Sequence, residues 1–238
     1  MSIFKRILKM SIIIIVLAIA FLGVWQKDNI KAVYTAFTTD SETLANNLQE
    51  QTEEHISVLE EYGVDITVPN IQQTDELLSG ITSADEVKSQ LNFTENNYIK
   101  YENILNTTSS NKLNNNTSDD MTETINTIVN DCVSDLYSYR VDVMSELGKL
   151  KQEAINEWVS LSPEEQTDVK KRNIGMAGLD KCYDLEDIAD SKVKHILETY
   201  KNTLKNIGAD TSIIDTLWKQ YCDEKEAQKS YYINKYMN

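Results

Sequence analysis

The chain has 238 residues, with 38 acidic against 23 basic side chains and a net charge of −15, so it repels phosphate backbones and nucleic acid is an unfavourable partner. Only 7 glycines and 2 prolines interrupt it, which points to long helices. Three widely spaced cysteines, Cys132, Cys182 and Cys222, form neither a CxxC pair nor a zinc spacing, and each sits among apolar residues where a small buried hydrophobe is the default.

At the N-terminus, Lys5, Arg6 and Lys9 surround the start of an apolar run from Ile7 to Trp25. As a helix this run spans roughly 28 Å, close to the ~30 Å hydrocarbon thickness of a bilayer. Lys9 can snorkel to the headgroups, and Trp25 stands where an interfacial aromatic would. We therefore expect residues 1–31 to form a basic cytoplasmic N-terminus and a single-pass membrane anchor through Ile7 to Trp25. The rest of the chain then lies outside the cell membrane. Residues 1–31 carry a net +4, so residues 32–238 carry −19 of the total −15. That contrast agrees with a positive-inside orientation. The alternative is secretion, because Ala18-Ile19-Ala20 matches a small-x-small cleavage pattern and signal peptidase could act after Ala20. Phe21 to Trp25 continue the apolar run past that site, which favours retention.

Residues 32–105 read as membrane-proximal helices. Ile30, Val33, Tyr34 and Phe37 continue one helical face. Leu44, Leu48, Thr52, His55 or Ile56, Leu59 and Tyr62 then repeat at three and four, with Asp40 or Ser41 as cap and Gly63 as stop. Val64 to Val68 alternates like a strand, but Pro69 follows and no pairing strand is evident, so an extended connection is expected. Thr74 precedes a short helix with Leu77 and Leu78, closed by Gly80. Ser83-Ala-Asp-Glu86 is a capping box that opens one helix carrying Val87, Leu91, Tyr98, Ile99, Glu102 and Leu105.

Residues 106–119 form an Asn/Ser/Thr-rich linker with almost nothing to bury. Asn92, Asn106, Asn115 and Asn116 begin N-x-Ser/Thr triplets, which chance explains in a chain rich in Asn. Residues 120–238 form a long-helix region. Ile125, Ile128, Cys132, Leu136, Tyr139, Val143, Leu147, Leu150, Ala154, Trp158 and Leu161 keep a heptad-like seam, with Gly148 as its weak point. Ser162-Pro163-Glu-Glu165 resets the chain as a capping box with Pro at the first helical position. The next helix ends at Gly208 and is interrupted, kinked or closely approached at Gly175 to Gly178. Asp210 or Thr211 caps the last one. The fold class is therefore all-α: the transmembrane helix followed by an elongated antiparallel helical bundle with coiled-coil-like seams. Residues 32–105 are expected to pack with 120–238 as one domain.

The chain lacks Walker, dinucleotide, HExxH, GxSxG and EF-hand patterns. His55 and His195 have no Glu three residues before them, although Glu198 follows His195. The Ser-x-x-Lys matches at Ser2/Lys5, Ser109/Lys112 and Ser191/Lys194 lack the motifs that accompany acyl-enzyme chemistry. Asp184, Glu186, Asp187 and Asp190 read as a solvated helix face with Lys194 near Asp190. Tyr231, Tyr232 and Tyr236 read as a frayed last helix or, alternatively, a docking end. We expect no catalytic, cofactor-binding or metal residues and no small-molecule substrate. The expected function is a membrane-anchored, extracytoplasmic helical interaction or structural module without catalytic activity, meeting a protein partner or a second copy of itself. The alternative is a secreted helical binding protein.

Overall fold

The computed structural model describes residues 27–93, 96–107 and 118–237. Among the described residues every regular element is a helix: α1 (Lys27–Thr38), α2 (Ser41–Glu60), α3 (Ile71–Ser79), α4 (Ala84–Gln90), α5 (Asn97–Thr107), α6 (Ser118–Ser160), α7 (Asp168–Asn206) and α8 (Ser212–Met237). The expected all-α bundle is observed. None of these helices is long and apolar enough to cross a membrane. The run Ile7 to Trp25 and most of the Asn-rich linker lie outside the described residues.

Local chemistry sets most helix ends. The Asp40 carboxylate accepts the Thr43 N–H at 2.9 Å and caps α2, and Gly63 follows with φ of +72°. The Ser83/Glu86 capping box opens α4 as expected. Residues 64–70 form a connection without regular secondary structure, and the Asp65 N–H is held by the Asn130 side chain rather than by a partner strand. The Asp210 carboxylate accepts the Ser212 N–H at 3.0 Å at the start of α8.

Three boundaries differ from the sequence expectation. Asn70, not Thr74, caps α3 through a reciprocal box with Gln73, and Thr74 is buried inside the helix. The helix expected from Ser83 to Leu105 breaks in two, with Asn92 and Asn96 at positive φ between α4 and α5. The break persists because Asp135 of α6 holds the new N-terminus of α5. Ser162 and Glu165 do bond, Ser162 N–H to the Glu165 carboxylate at 2.9 Å, but they close a single turn. Thr167 is the side chain that caps α7, accepting the Lys170 N–H. Helix α7 then runs unbroken through Gly175 and Gly178 for 39 residues.

The pairings define the bundle. Asp135 meets Tyr200 while Glu153 meets Lys181, so α6 and α7 are antiparallel. Asp215 meets Lys201 and Lys225 meets Asp190, so α7 and α8 are antiparallel as well. His55 of α2 reaches Glu224 of α8, and Leu44 and Leu48 pack near Tyr231 and Tyr232. Asn234 of α8 donates to the carbonyls of Ala36 and Thr39 at 2.8 Å each and closes the C-terminal end of α1.

The main core joins Leu59, the first half of α6 (Ile128, Cys132, Val133), the second half of α7 (Val193, Tyr200, Leu204) and the start of α8. A second core joins α2, α3 and α4 to Val141, Met144, Tyr231 and Tyr232. A small one, Ala154, Trp158 and Ile174, closes the far end of the α6–α7 hairpin. The buried face of α1 is Ala32 and Ala36, both 1 % exposed, whereas Tyr34 and Phe37 are 69 % and 58 % exposed. The expected apolar face of α1 is thus turned outward at those two positions, because small residues let α1 sit close against α8. Tyr231 and Tyr232, read from sequence as a frayed or docking end, are buried.

Candidate functional site

The seam predicted along α6 does not act as one continuous contact. Ile128, Cys132, Ala154 and Trp158 are buried, but Leu136, Tyr139, Val143, Leu147 and Leu150 between them remain half-exposed. Helix α6 buries a neighbouring face there instead, through Tyr137, Val141 and Met144. The half-exposed seam residues form one wall of a cavity of about 240 Å³. Helix α7 supplies Gly178, Cys182, Leu185, Ala189 and Val193 to the opposite wall, and α8 supplies Tyr221, Gln228 and Tyr232. Polar atoms make up little of the surface.

Ion pairs bridge α7 and α8 along this cavity. Lys225 Nζ lies 2.6 Å from Asp190 and 3.1 Å from Glu186, Lys229 lies 2.5 Å from Glu186, and the Tyr221 hydroxyl donates to Asp190 at 2.6 Å. Burial alone would raise the Asp190 carboxyl, but its bonds to Lys225 and Tyr221 outweigh that and hold it below the usual value. The acidic cluster noted in the sequence is therefore split: Glu186 and Asp190 reach across to α8 rather than standing in solvent. Lys194 lies over the Trp218 ring, 5.0 Å from its centroid.

Two further polar clusters are buried in the bundle. Glu224 accepts from the Tyr137 hydroxyl at 2.8 Å, pairs with Arg140, and meets His55 Nδ1 at 2.9 Å. Burial works to raise this carboxyl, yet Arg140, His55 and Tyr137 together lower it. Asp135 accepts the N–H of Asn97 at 2.9 Å, the N–H of Tyr98 at 2.7 Å and the Tyr200 hydroxyl at 2.8 Å. Here burial prevails over those bonds and the carboxyl is raised. Sequence reading missed Asp135, Arg140 and Glu224, since each reads as an ordinary charge on an acidic helix. The signal for Asp135 and Arg140 was their position beside the apolar seam of α6, whereas Glu224 lies on α8.

His195 meets Glu102 of α5 at 2.6 Å, not Glu198, which accepts from Asn202. Cys132 is fully buried, and burial followed by the nearby Asp135 pushes its thiol well up. Cys182 lines the cavity, and burial together with Glu186 pushes its thiol up to about 11. Among the described residues no group of three His, Cys, Asp or Glu side chains is placed to hold a metal ion. No protein-family model, curated protein or solved structure matches the chain.

Proposed function

We propose that this chain is a membrane-held, extracytoplasmic helical module that works by binding rather than by catalysis. The observation that carries this reading is where the buried acids spend their bonds. Asp135 fastens α5 and α7 to α6, and Glu224 fastens α2 and α6 to α8. A general acid or base needs a carboxyl with a bond left for substrate, whereas these are committed to helix–helix contacts. The apolar run Ile7 to Trp25 and the +4 to −19 charge contrast support retention in a membrane with the acidic part outside. Exposed Tyr34 and Phe37 on α1, with Val169 and Ile188 on α7, offer contact points for a protein partner.

The test is topological. The full chain with Ser160→Cys is expressed in a bacterial host, and its membranes are washed with carbonate. The chain is expected to stay in the pellet and to react with a membrane-impermeant maleimide on intact cells, above the background of the unsubstituted chain. A soluble product whose intact mass begins at Phe21, or labelling only after lysis, would overturn the anchored reading.

A further inference from the structure

Helix α1 is fixed to the bundle on one side and bare on the other. Ala32 and Ala36 are buried against α8, Lys31 Nζ lies 2.8 Å from Glu226, and Asn234 donates to the Ala36 and Thr39 carbonyls at 2.8 Å each. Tyr34 and Phe37, three residues apart, share the side turned away from the alanines. They are the only aromatics among the large apolar side chains left exposed in the described residues. Aromatic rings on a rigid element are what the centre of a protein contact is built from.

Charge and height narrow what covers this face. Residues 27–39 carry Lys27 and Lys31 against Asp28, whereas residues 40–238 carry a net −19. Two copies of the chain therefore meet the least repulsion at α1. Helix α1 begins two residues after the apolar run Ile7 to Trp25 ends. An α1 leaving a bilayer upright carries Tyr34 roughly 10 Å and Phe37 roughly 15 Å past Lys27, beyond the ~5–7 Å headgroup layer. In a second anchored copy the same rings stand at the same height, and a two-fold axis along the membrane normal lays one face on the other. Each ring buries about 150–250 Å², so the pair falls short of the ~800 Å² per partner of a stable complex in solution. Confinement of both copies to one membrane raises their effective concentration and offsets that shortfall.

We infer that the outer face of α1 is a self-association surface: in the membrane two copies pair in parallel through Tyr34 and Phe37, ring against ring across a two-fold axis. The inference rests on the membrane-held reading above and names its partner, a second copy of this chain. Helix α8 lies on the opposite side of α1, so pairing leaves the bundle undisturbed.

The experiment uses the full chain in carbonate-washed proteoliposomes, with one cysteine added at a time and a short bis-maleimide as cross-linker. Tyr34→Cys and Phe37→Cys should each give a covalent dimer at least fivefold above the unsubstituted chain. They should exceed by the same factor Lys31→Cys, whose position turns toward Glu226, and Ser160→Cys at the far end of the α6–α7 hairpin. Tenfold dilution with lipid should leave the yield within twofold, which random collision would not. Phe37→Glu placed in the Tyr34→Cys chain sets two carboxylates face to face and should cut the yield at least fivefold, with the melting temperature unchanged because the position is exposed. Equal yields at all four positions, a yield that falls in proportion to dilution, or no dimer from a chain that stays in the pellet would each overturn the pairing and leave the anchor standing. Quenching of a fluorophore on Phe37→Cys by nitroxide-headgroup lipid, without a dimer, would assign the face to lipid instead. A chain lost to the supernatant would overturn the anchored reading and the pairing with it.

Discussion

The Asp135 carboxylate of α6 accepts the backbone N–H of Tyr98 at 2.7 Å, so a side chain distant in sequence closes the N-terminus of α5. The same carboxylate holds the Asn97 N–H and the Tyr200 hydroxyl. Asp135→Ala would leave the Tyr98 N–H and the Tyr200 hydroxyl buried without this acceptor, and a lost bond to a charged group costs about 1.5–3 kcal/mol. A loss of about 3 kcal/mol is expected in urea denaturation of the full chain, with faster amide exchange confined to the first turn of α5. A loss below about 1 kcal/mol would mean that Asp135 is not what starts α5.

Two glycines on neighbouring helices should respond in opposite directions to the same change. A Cβ at Gly148 would stand 2.6 Å from the Leu77 carbonyl oxygen and 3.2 Å from Leu78 Cα, so α3 approaches α6 through the missing side chain. Gly148→Ala gains up to ~1 kcal/mol of helix propensity but must push backbone apart, at a cost of ~1–3 kcal/mol. Net destabilisation is expected. Gly178→Ala meets nothing and should stabilise the chain by about 0.5–1 kcal/mol. Thermal melts of the two variants against the parent decide the signs.

Acid should loosen the α2–α6–α8 contact. The folded Glu224 carboxyl lies below its usual value of 4.5. A group with a depressed folded value contributes stability that is present above the unfolded value and is lost as pH falls through the folded one. Stability should therefore begin to fall below about pH 4.5 and keep falling as Glu224 protonates. Asp190 is also lowered and acts in the same sense, whereas Asp135 is raised and acts against it. Glu224→Gln should be less stable than the parent near pH 7 and show a shallower decline between pH 5 and 3, as read by urea midpoints at each pH.

The thiol of Cys182 should be slow to react. With its value pushed up to about 11, little thiolate exists at pH 8, and the thiolate is the nucleophile. Mass spectrometry after maleimide treatment at pH 8 should find Cys182 unmodified under conditions that label an exposed cysteine introduced at Ser160. Rapid labelling of Cys182 would show that the wall between α6 and α7 opens to solvent. Glu186→Gln should quicken the reaction modestly by removing the nearby negative charge.

Much of the fold is written in local patterns. Few breakers, the Asp40 and Ser83 caps, Gly63, Gly80 and Gly208 at positive φ, and the three-and-four rhythm of α6 all act within a few residues. Each is visible to anyone reading the chain in order. The break before α5 is not, because its cap comes from Asp135, 37 residues beyond Tyr98. The outward turn of Tyr34 and Phe37 is equally hidden, because periodicity marks an apolar face but cannot tell that two alanines fit closer to α8.

The candidate site shows the same division. Sequence alone determined that α6 carries a long apolar seam and that acids cluster near Glu186, because both follow from spacing on one helix. Whether that seam would be filled by a neighbour depended on how far apart α7 and α8 stand. Their ion pairs at Glu186 and Asp190 join them across the seam without filling it. Long charged side chains span a gap that aliphatic ones would have to close, and so a predicted helix contact became a cavity.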